Sequence, residues 1–179
     1  QPRYPFRFVQ ADAMRPQLDL GGFDFIWASP PCQQYTPLRA RQDWKEYPDL
    51  VAPVRTMLVA SGRPYAIENV PGAPLESPAR LCGTLFDLKT PCGAELRRHR
   101  YFETAFICPT PACTHRRGTI GVYGGHARDR CRTITITGNT PQQNVVRNRV
   151  RKTFSVDDAR CAMGIDWMNM SELSQAIPP

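Results

Sequence analysis

The spacing of apolar and polar residues in the first half of the chain predicts two strands, a helix and a third strand. Residues 6–10 and 23–28 read as strands, and the second is mostly apolar, as expected for a strand buried in a sheet. Apolar residues at helical spacing then predict a helix that Asp49 caps and Gly62 ends. The run at 64–67 predicts the next strand. Strand, helix and strand in this order are typical of an α/β sheet.

The second half of the chain shows weaker periodicity. Only the run Thr-Ile-Thr-Ile-Thr at 133–137 alternates perfectly, as a half-buried strand does. A Ser-x-x-Asp peptide at 155–158 has the form of a helix start. The predicted elements are a helix over 81–88, strands over 97–102, 119–123 and 133–137, and helices that begin at Ser155 and Ser171.

These elements predict an α/β protein with three segments. Residues 1–103 form the α/β core, and residues 154–179 return to it as helices. The stretch 104–153 between them is rich in Pro, Gly, Cys and Arg and reads as an irregular insertion.

Charge suggests a nucleic-acid partner. The 179 residues carry 23 Lys and Arg against 16 Asp and Glu, which gives a net charge of +7, and only three of the basic residues are Lys. Arg binds phosphates and guanine edges in a bidentate manner that Lys matches poorly, although a GC-rich coding bias also enriches Arg. Four basic residues of one stretch are the ones most expected to contact DNA: Arg147, Arg149, Arg151 and Lys152. The alternative interpretation is that this stretch is a solvated loop.

Cysteine usage and hydropathy argue against a secreted, disulfide-bonded protein and against a membrane-spanning one. Seven Cys residues is an odd number, no secretion signal is visible, and no apolar run approaches the ~18 residues that span a membrane. Free thiols in a reducing compartment are therefore expected. Cys108, Cys113 and His115 come close to metal-ligand spacing, with Cys82 and Cys92 as further thiols. The paired Cys-x2-Cys pattern of strong zinc sites is absent, so no metal is predicted.

Two predicted strands end in unusual peptides. The second strand runs into Pro-Pro-Cys-Gln at 30–33, and the third into Glu-Asn-Val at 68–70. Ligands of open α/β sheets bind at the carboxyl ends of the strands. The two prolines restrict the backbone before Cys32, and a thiolate is the strongest side-chain nucleophile near neutral pH. We therefore expect Glu68 to face a reactive Cys32.

Four peptides resemble motifs of the DNA (cytosine-5) methyltransferases, in the same order. Pro-Pro-Cys-Gln at 30–33 and Glu-Asn-Val at 68–70 resemble that family's catalytic and acidic motifs. Arg-His-Arg at 98–100 resembles its Arg-x-Arg motif, and Gln-Ala-Ile-Pro-Pro at 175–179 its last motif. The octapeptide at 96–103 is similar to the compact phage-encoded branch, and the resemblance covers most of the chain.

The resemblance implies a Rossmann-like enzyme that transfers methyl from S-adenosylmethionine to carbon 5 of cytosine in double-stranded DNA. It implies that Cys32 adds to carbon 6 of a flipped base. Glu68 then assists at N3, and Arg98 and Arg100 hold the O2 side and the flanking phosphate. Gln33, next to the nucleophile, is expected to contact DNA, and the insertion at 104–153 is expected to recognise the DNA sequence. The phage-type resemblance also implies a location in the cytoplasm of a bacterial or phage-infected cell.

The resemblance also implies which residues bind the cofactor. Asp12 would lie on the adenine side, Ser29 and Pro30 at a strand end, and Gln175 in the closing motif, where the family usually has Asn. The Phe-x-Gly-x-Gly loop that holds the methionine part in this family is absent from the sequence. We therefore expect a core that is incomplete at its N-terminal side and is completed by a preceding segment or by a second chain.

Two other functions fit part of the sequence. Ser-Pro-Pro at 29–31 also fits an amino-methyltransferase acting on N4 or N6, although Cys32 stands where that motif has an aromatic residue. The absent glycine loop fits a DNA-binding remnant without catalysis. The individual residues have structural alternatives as well: a buried thiol for Cys32, a turn for Asp12, a capping carboxylate for Glu68, and a solvated edge for Arg98 and Arg100.

Overall fold

The computed structural model describes residues 6–35, 46–115, 119–123, 126–129 and 154–176. The chain divides into two compact units, each built from segments that are distant in sequence. Unit 1 comprises residues 1–81 and 99–110, and unit 2 comprises residues 82–98 and 111–179. Both contain a β-sheet, and the protein is of mixed α/β type.

Unit 1 is built on a four-stranded mixed sheet with the order β1-β2-β5-β3. Strand β1 pairs with β2 in parallel, and β2 pairs with β5 in an antiparallel manner. The described strands and α-helix of this sheet have the following bounds: β1 Ile26–Ala28, α1 Val51–Ala60, β2 Tyr65–Asn69, β3 Ala79–Cys82 and β5 His99–Thr104. The last residue of β3, Cys82, already belongs to unit 2.

Helix α1 covers one face of this sheet. Val54 and Leu58 of the helix pack against Ile67 of β2, with Ile26 and Ala28 of β1 beside them. Successive side chains of a strand point to opposite faces, so the residues between these apolar positions belong to the other face.

That other face carries aromatic and charged side chains. Trp27 lies opposite Ala66 in the register, and Phe102 lies opposite Glu68. The rings of Trp27 and Phe102 meet edge to face with their centroids 5.4 Å apart. The ends of β2 and β5 on this face therefore hold the acidic and basic motifs identified in the sequence.

Unit 2 contains a three-stranded sheet with the order β4-β6-β7, in which β6 is parallel to β4 and antiparallel to β7. Its strands and helices are β4 Glu95–Leu96, β6 Thr119–Tyr123, β7 His126–Asp129, α2 Val156–Met163 and α3 Met170–Gln175. Leu96 and Ile120 of the sheet and Met163 and Leu173 of the helices are fully buried in one core. Both helices begin with a capping box, at Ser155 and at Asn169.

Several predicted elements are confirmed. The helix predicted after Asp49 is α1, and the Asp49 carboxylate accepts a hydrogen bond from the Val51 amide. The strands predicted over 64–67 and 119–123 and the helix at Ser155 are present. The last helix begins at Met170, one residue earlier than predicted.

Other predictions are wrong. Residues 6–10 form no strand, and Phe6 and Phe8 are 72% and 68% exposed. The strand predicted over 23–28 is reduced to β1. The strand predicted over 97–102 is shifted by two residues to β5.

The helix predicted over 81–88 is also wrong, because this stretch contains the end of β3 and a 3-10 turn at Gly83–Phe86. Gly83 packs so closely on Leu96 that a Cβ atom built there would lie 2.7 Å from the Leu96 carbonyl oxygen. The strand predicted over 133–137 lies outside the described residues. The division into a core at 1–103, an insertion at 104–153 and a helical return at 154–179 stays a prediction.

Candidate functional site

The Pro-Pro-Cys-Gln and Glu-Asn-Val peptides are joined at the carboxyl ends of two parallel strands. Ala28 of β1 pairs with Ile67 of β2, so the residues that follow each strand leave the sheet at the same edge. The side-chain amide of Asn69 donates a hydrogen bond of 3.0 Å to the carbonyl oxygen of Pro30. Both residues are buried. This contact fixes the backbone two residues before Cys32 to the acidic motif.

The antiparallel pairing of β5 with β2 brings the basic motif to the same edge. Glu68 lies opposite Phe102, and Arg100 precedes Phe102 by two residues on the same face of the sheet. Diagonal neighbours of this kind are within reach of a long side chain. The Arg100 Nε atom lies 2.8 Å from the Glu68 Oε1 atom.

The ion pair between Arg100 and Glu68 is largely withdrawn from water. The Glu68 side chain is 10% exposed and that of Arg100 is 18% exposed. A carboxylate in such surroundings needs a partner, because removing an unpaired charge from water is costly. The pair thus fixes the orientation of the Glu68 carboxyl group at the end of β2.

Cys32 begins a turn that is anchored to helix α1. The Tyr35 amide donates to the Cys32 carbonyl oxygen at 3.0 Å, and the Tyr35 hydroxyl donates to the Asp49 carboxylate. Burial, together with the hydrogen bond and the charge of Asp49, raises the pKa of Tyr35 to about 12. The phenol therefore remains a neutral donor at physiological pH and stabilises the turn. The Cys32 thiol is partly buried and belongs to no disulfide.

Gln33 carries an acceptor that no hydrogen bond satisfies among the described residues. Its side-chain Oε1 atom is buried, and the same holds for Gln34.

The two arginines of the basic motif have different surroundings. Arg100 contacts Glu68 in unit 1, whereas Arg98 belongs to unit 2. The buried Arg98 guanidinium donates to the carbonyl oxygens of Val122 and Ala176, the latter at 2.7 Å. These contacts connect β6 to the end of α3, which is a structural role within unit 2.

The residues expected to bind the cofactor have protein partners in several cases. Asp12 is exposed, and its carboxylate accepts from the Met14 amide at 2.9 Å in a turn. The Ser29 hydroxyl accepts from the Trp27 indole at 2.8 Å. The Pro30 carbonyl is the acceptor for Asn69. Gln175 is the last residue of α3.

Asn69 is a site residue that its sequence motif alone did not explain. The signal available in the sequence was an Asn directly after a predicted buried strand. A polar side chain at such a position can connect the acidic motif to a neighbouring motif. The predicted DNA contacts Arg147, Arg149, Arg151 and Lys152 lie outside the described residues.

Comparison with known proteins gave no match: no family model, no curated protein and no solved structure corresponds to this chain. Among the described residues, no helix is both long enough and apolar enough to cross a membrane.

Proposed function

We propose that this chain activates cytosine in DNA for methylation at carbon 5, the reaction of DNA (cytosine-5) methyltransferases. The contact between Asn69 and Pro30 is the observation that supports this most directly, because it fastens the Cys32 turn to the strand that carries Glu68. Arg100 adds a guanidinium to the same strand end through its 2.8 Å contact with Glu68. A nucleophile, a carboxyl group and a cationic donor are the groups that the reaction requires.

The proposed step is addition of the Cys32 thiolate to carbon 6 of cytosine. An S–C6 bond forms while the electron pair of the C5=C6 bond moves toward C5 and N3. Glu68, in its acid form, delivers a proton to N3, and Arg100 donates to the O2 edge. Carbon 5 then has enamine character and can attack an electrophilic carbon.

The proposed substrate is double-stranded DNA, from which the target base is flipped into the site at a cost of a few kcal/mol. The net charge of +7 supports an anionic partner. If several arginines touch phosphates, the logarithm of DNA affinity falls with the logarithm of salt by about 0.9 per contact. The proposal places the protein where bacterial or phage DNA is, in the cytoplasm of the host cell.

The described residues do not by themselves fit S-adenosylmethionine, the methyl donor that the sequence resemblance implies. Ser29 and Pro30 are already engaged with Trp27 and Asn69, and Asp12 is exposed in a turn. We expect the 179-residue chain to bind S-adenosylmethionine weakly in calorimetric titration.

The proposal is tested by hydrogen exchange at carbon 5, which needs no methyl donor. While the adduct exists, carbon 5 takes a deuteron from D2O; loss of the original proton and departure of the thiolate then restore the ring. Mass spectrometry of nucleosides from DNA incubated with the chain should show deuterium in cytosine. Cys32→Ser should abolish it, because the S–C6 bond cannot form.

Cys108→Ser is the matched control, since Cys108 is a second partly buried thiol of unit 1. Exchange should continue in this variant. Bound DNA without exchange in the wild type would overturn the proposal and favour a DNA-binding remnant or an amino-methyltransferase, neither of which activates carbon 5.

A further inference from the structure

A second group of reactive side chains lies in unit 2 and does not include Cys32. It consists of Cys82, Cys113 and His115, and their Sγ and imidazole nitrogen atoms all lie within 4.8 Å of one another. We call these three residues the Cys-Cys-His cluster. Spacing alone did not predict it, because Cys82 is far from the other two residues in sequence.

The distances in the Cys-Cys-His cluster suit a tetrahedral metal ion. Zinc binds sulfur at about 2.3 Å and imidazole nitrogen at about 2.0–2.1 Å, so tetrahedral angles place a sulfur and a nitrogen ligand about 3.6 Å apart. The Cys82 Sγ atom lies 3.5 Å from the His115 Nε2 atom. Small movements of the third ligand would complete the coordination.

The local backbone explains why Cys113 and His115 point the same way. Residues 111–115 form no helix or strand, yet burial alternates: Cys113 and His115 are partly buried while Thr114 between them is exposed. In an extended backbone, alternate side chains share a face. Cys82 is the last residue of β3 and is fully buried. The cluster thus joins the end of a strand to an irregular segment.

A hydrogen bond orients the sulfur atom of Cys82. The Thr84 hydroxyl donates to the Cys82 Sγ atom at 3.3 Å, which is the kind of outer hydrogen bond that orients a metal ligand. The contact of the sulfur with the Leu96 carbonyl oxygen is much longer, at 3.9 Å.

We propose that Cys82, Cys113 and His115 bind a structural zinc ion. Two thiolates and an imidazole select zinc among common divalent ions, whereas magnesium and calcium require oxygen ligands. The ion stabilises the fold by closing the irregular segment 111–115 onto the end of β3, since metal binding energy is folding energy.

The test is titration of the complete, metal-free 179-residue chain with Co²⁺ and then Zn²⁺. We expect one ion per chain, with the intense visible bands of tetrahedral cobalt and a thiolate charge-transfer band that Zn²⁺ removes. Cys113→Ser should weaken binding by at least the roughly 10–100-fold that loss of an outer-shell partner costs. It should also halve the charge-transfer band.

Cys161→Ser is the matched control, because Cys161 is an exposed thiol of the same unit. It should bind the ion like the wild type. Should Cys82→Ser fail to fold, Cys113→Ser and His115→Ala, both at partly exposed positions, keep the test decisive. Absence of stoichiometric binding, or equal weakening by Cys161→Ser, would overturn the proposal. Neither readout depends on DNA or on methyl transfer.

Discussion

The Asn69 side-chain amide donates a 3.0 Å hydrogen bond to the Pro30 carbonyl oxygen, and this bond connects two peptides that are 39 residues apart in sequence. The peptide between Pro30 and Pro31 has no N–H, so hydrogen bonds can hold it only through its carbonyl oxygen. Asn69 supplies that restraint from the neighbouring strand. The rigidity of the Cys32 turn therefore depends on a residue that performs no chemistry itself.

We predict that Asn69→Ala slows carbon-5 exchange and also lowers stability. The lost donor leaves the buried Pro30 carbonyl unsatisfied, at a cost of about 1–3 kcal/mol in the free energy of unfolding. Urea unfolding and the exchange assay measure the two effects. Gln10→Ala, at an exposed position, serves as the control and should change neither. An Asn69→Ala variant with wild-type exchange would show that Pro30 is held by other contacts.

The two arginines of the basic motif should separate in function. Arg100→Gln is expected to lower the exchange rate roughly 10²-fold, the usual effect of removing one donor from a charged transition state. Arg98→Gln should instead lower the free energy of unfolding, because it removes charged donors to the Val122 and Ala176 carbonyls. Exchange per folded molecule should be retained in Arg98→Gln. The exposed Arg80 provides the control substitution, Arg80→Gln. The opposite assignment of effects would place Arg98 in the site.

Acid should weaken unit 1 through Glu103. Burial alone would raise the pKa of this carboxyl, but the Arg55 guanidinium and the Glu76 amide outweigh it and hold the pKa below its usual value. Arg55 contacts both carboxylate oxygens at 2.6 Å. Because the folded pKa is lowered, the stabilisation is complete above the unfolded pKa of about 4.3 and is lost as pH falls through the folded value.

We therefore predict that Glu103→Gln costs about 3 kcal/mol at neutral pH, the scale for breaking a buried ion pair. The difference from the wild type should shrink below about pH 4. Glu76→Gln is the matched control: Glu76 also faces Arg55, at 3.5 Å, but its side chain is 73% exposed. It should cost no more than about 1 kcal/mol. Denaturant unfolding across the pH range measures all three proteins, and a pH-independent difference would contradict the assigned pKa direction.

Gly83→Ala should destabilise unit 2. An added Cβ would lie 2.7 Å from the Leu96 carbonyl oxygen and 2.8 Å from the Leu96 Cβ, and Leu96 is fully buried. Overpacking of this kind costs about 1–3 kcal/mol. Gly22→Ala is the matched substitution, since nothing lies within 4 Å of its Cβ position. Thermal unfolding should separate the two variants, and equal midpoints would mean that Leu96 moves aside freely.

The sequence predicted those elements whose local signals agree with burial. Helix-start signals act within one turn. The Asp49 carboxylate accepts from the Val51 amide at the start of α1, and the Ser-x-x-Asp peptide forms a capping box at the start of α2. Residues 6–10 are also rich in apolar side chains but form no strand, because apolar residues do not by themselves supply a core to pack against.

Long-range pairing explains what the sequence did not predict in the site. The parallel register of β1 and β2 determines that Pro30 meets Asn69, and the antiparallel register of β5 determines that Arg100 contacts Glu68. Neither register can be derived from spacing along the chain. The sequence offered Cys82, Cys113 and His115 as possible ligands but favoured free thiols, since a strand end and an irregular segment meet only in the folded unit.

Two ion pairs stabilise the native register of β2 and β5 against mispairing. Glu103, opposite Ile67, meets Arg55 on the helix-covered face, while Glu68 meets Arg100 on the other face. A slip of one residue turns every side chain of a strand to the opposite face. Such a slip would separate both ion pairs at once and leave charges buried without counter-ions. A mispaired sheet therefore loses an ion pair on each of its faces. Glu68 and Arg100, which are proposed to act in the reaction, thus also favour the native register.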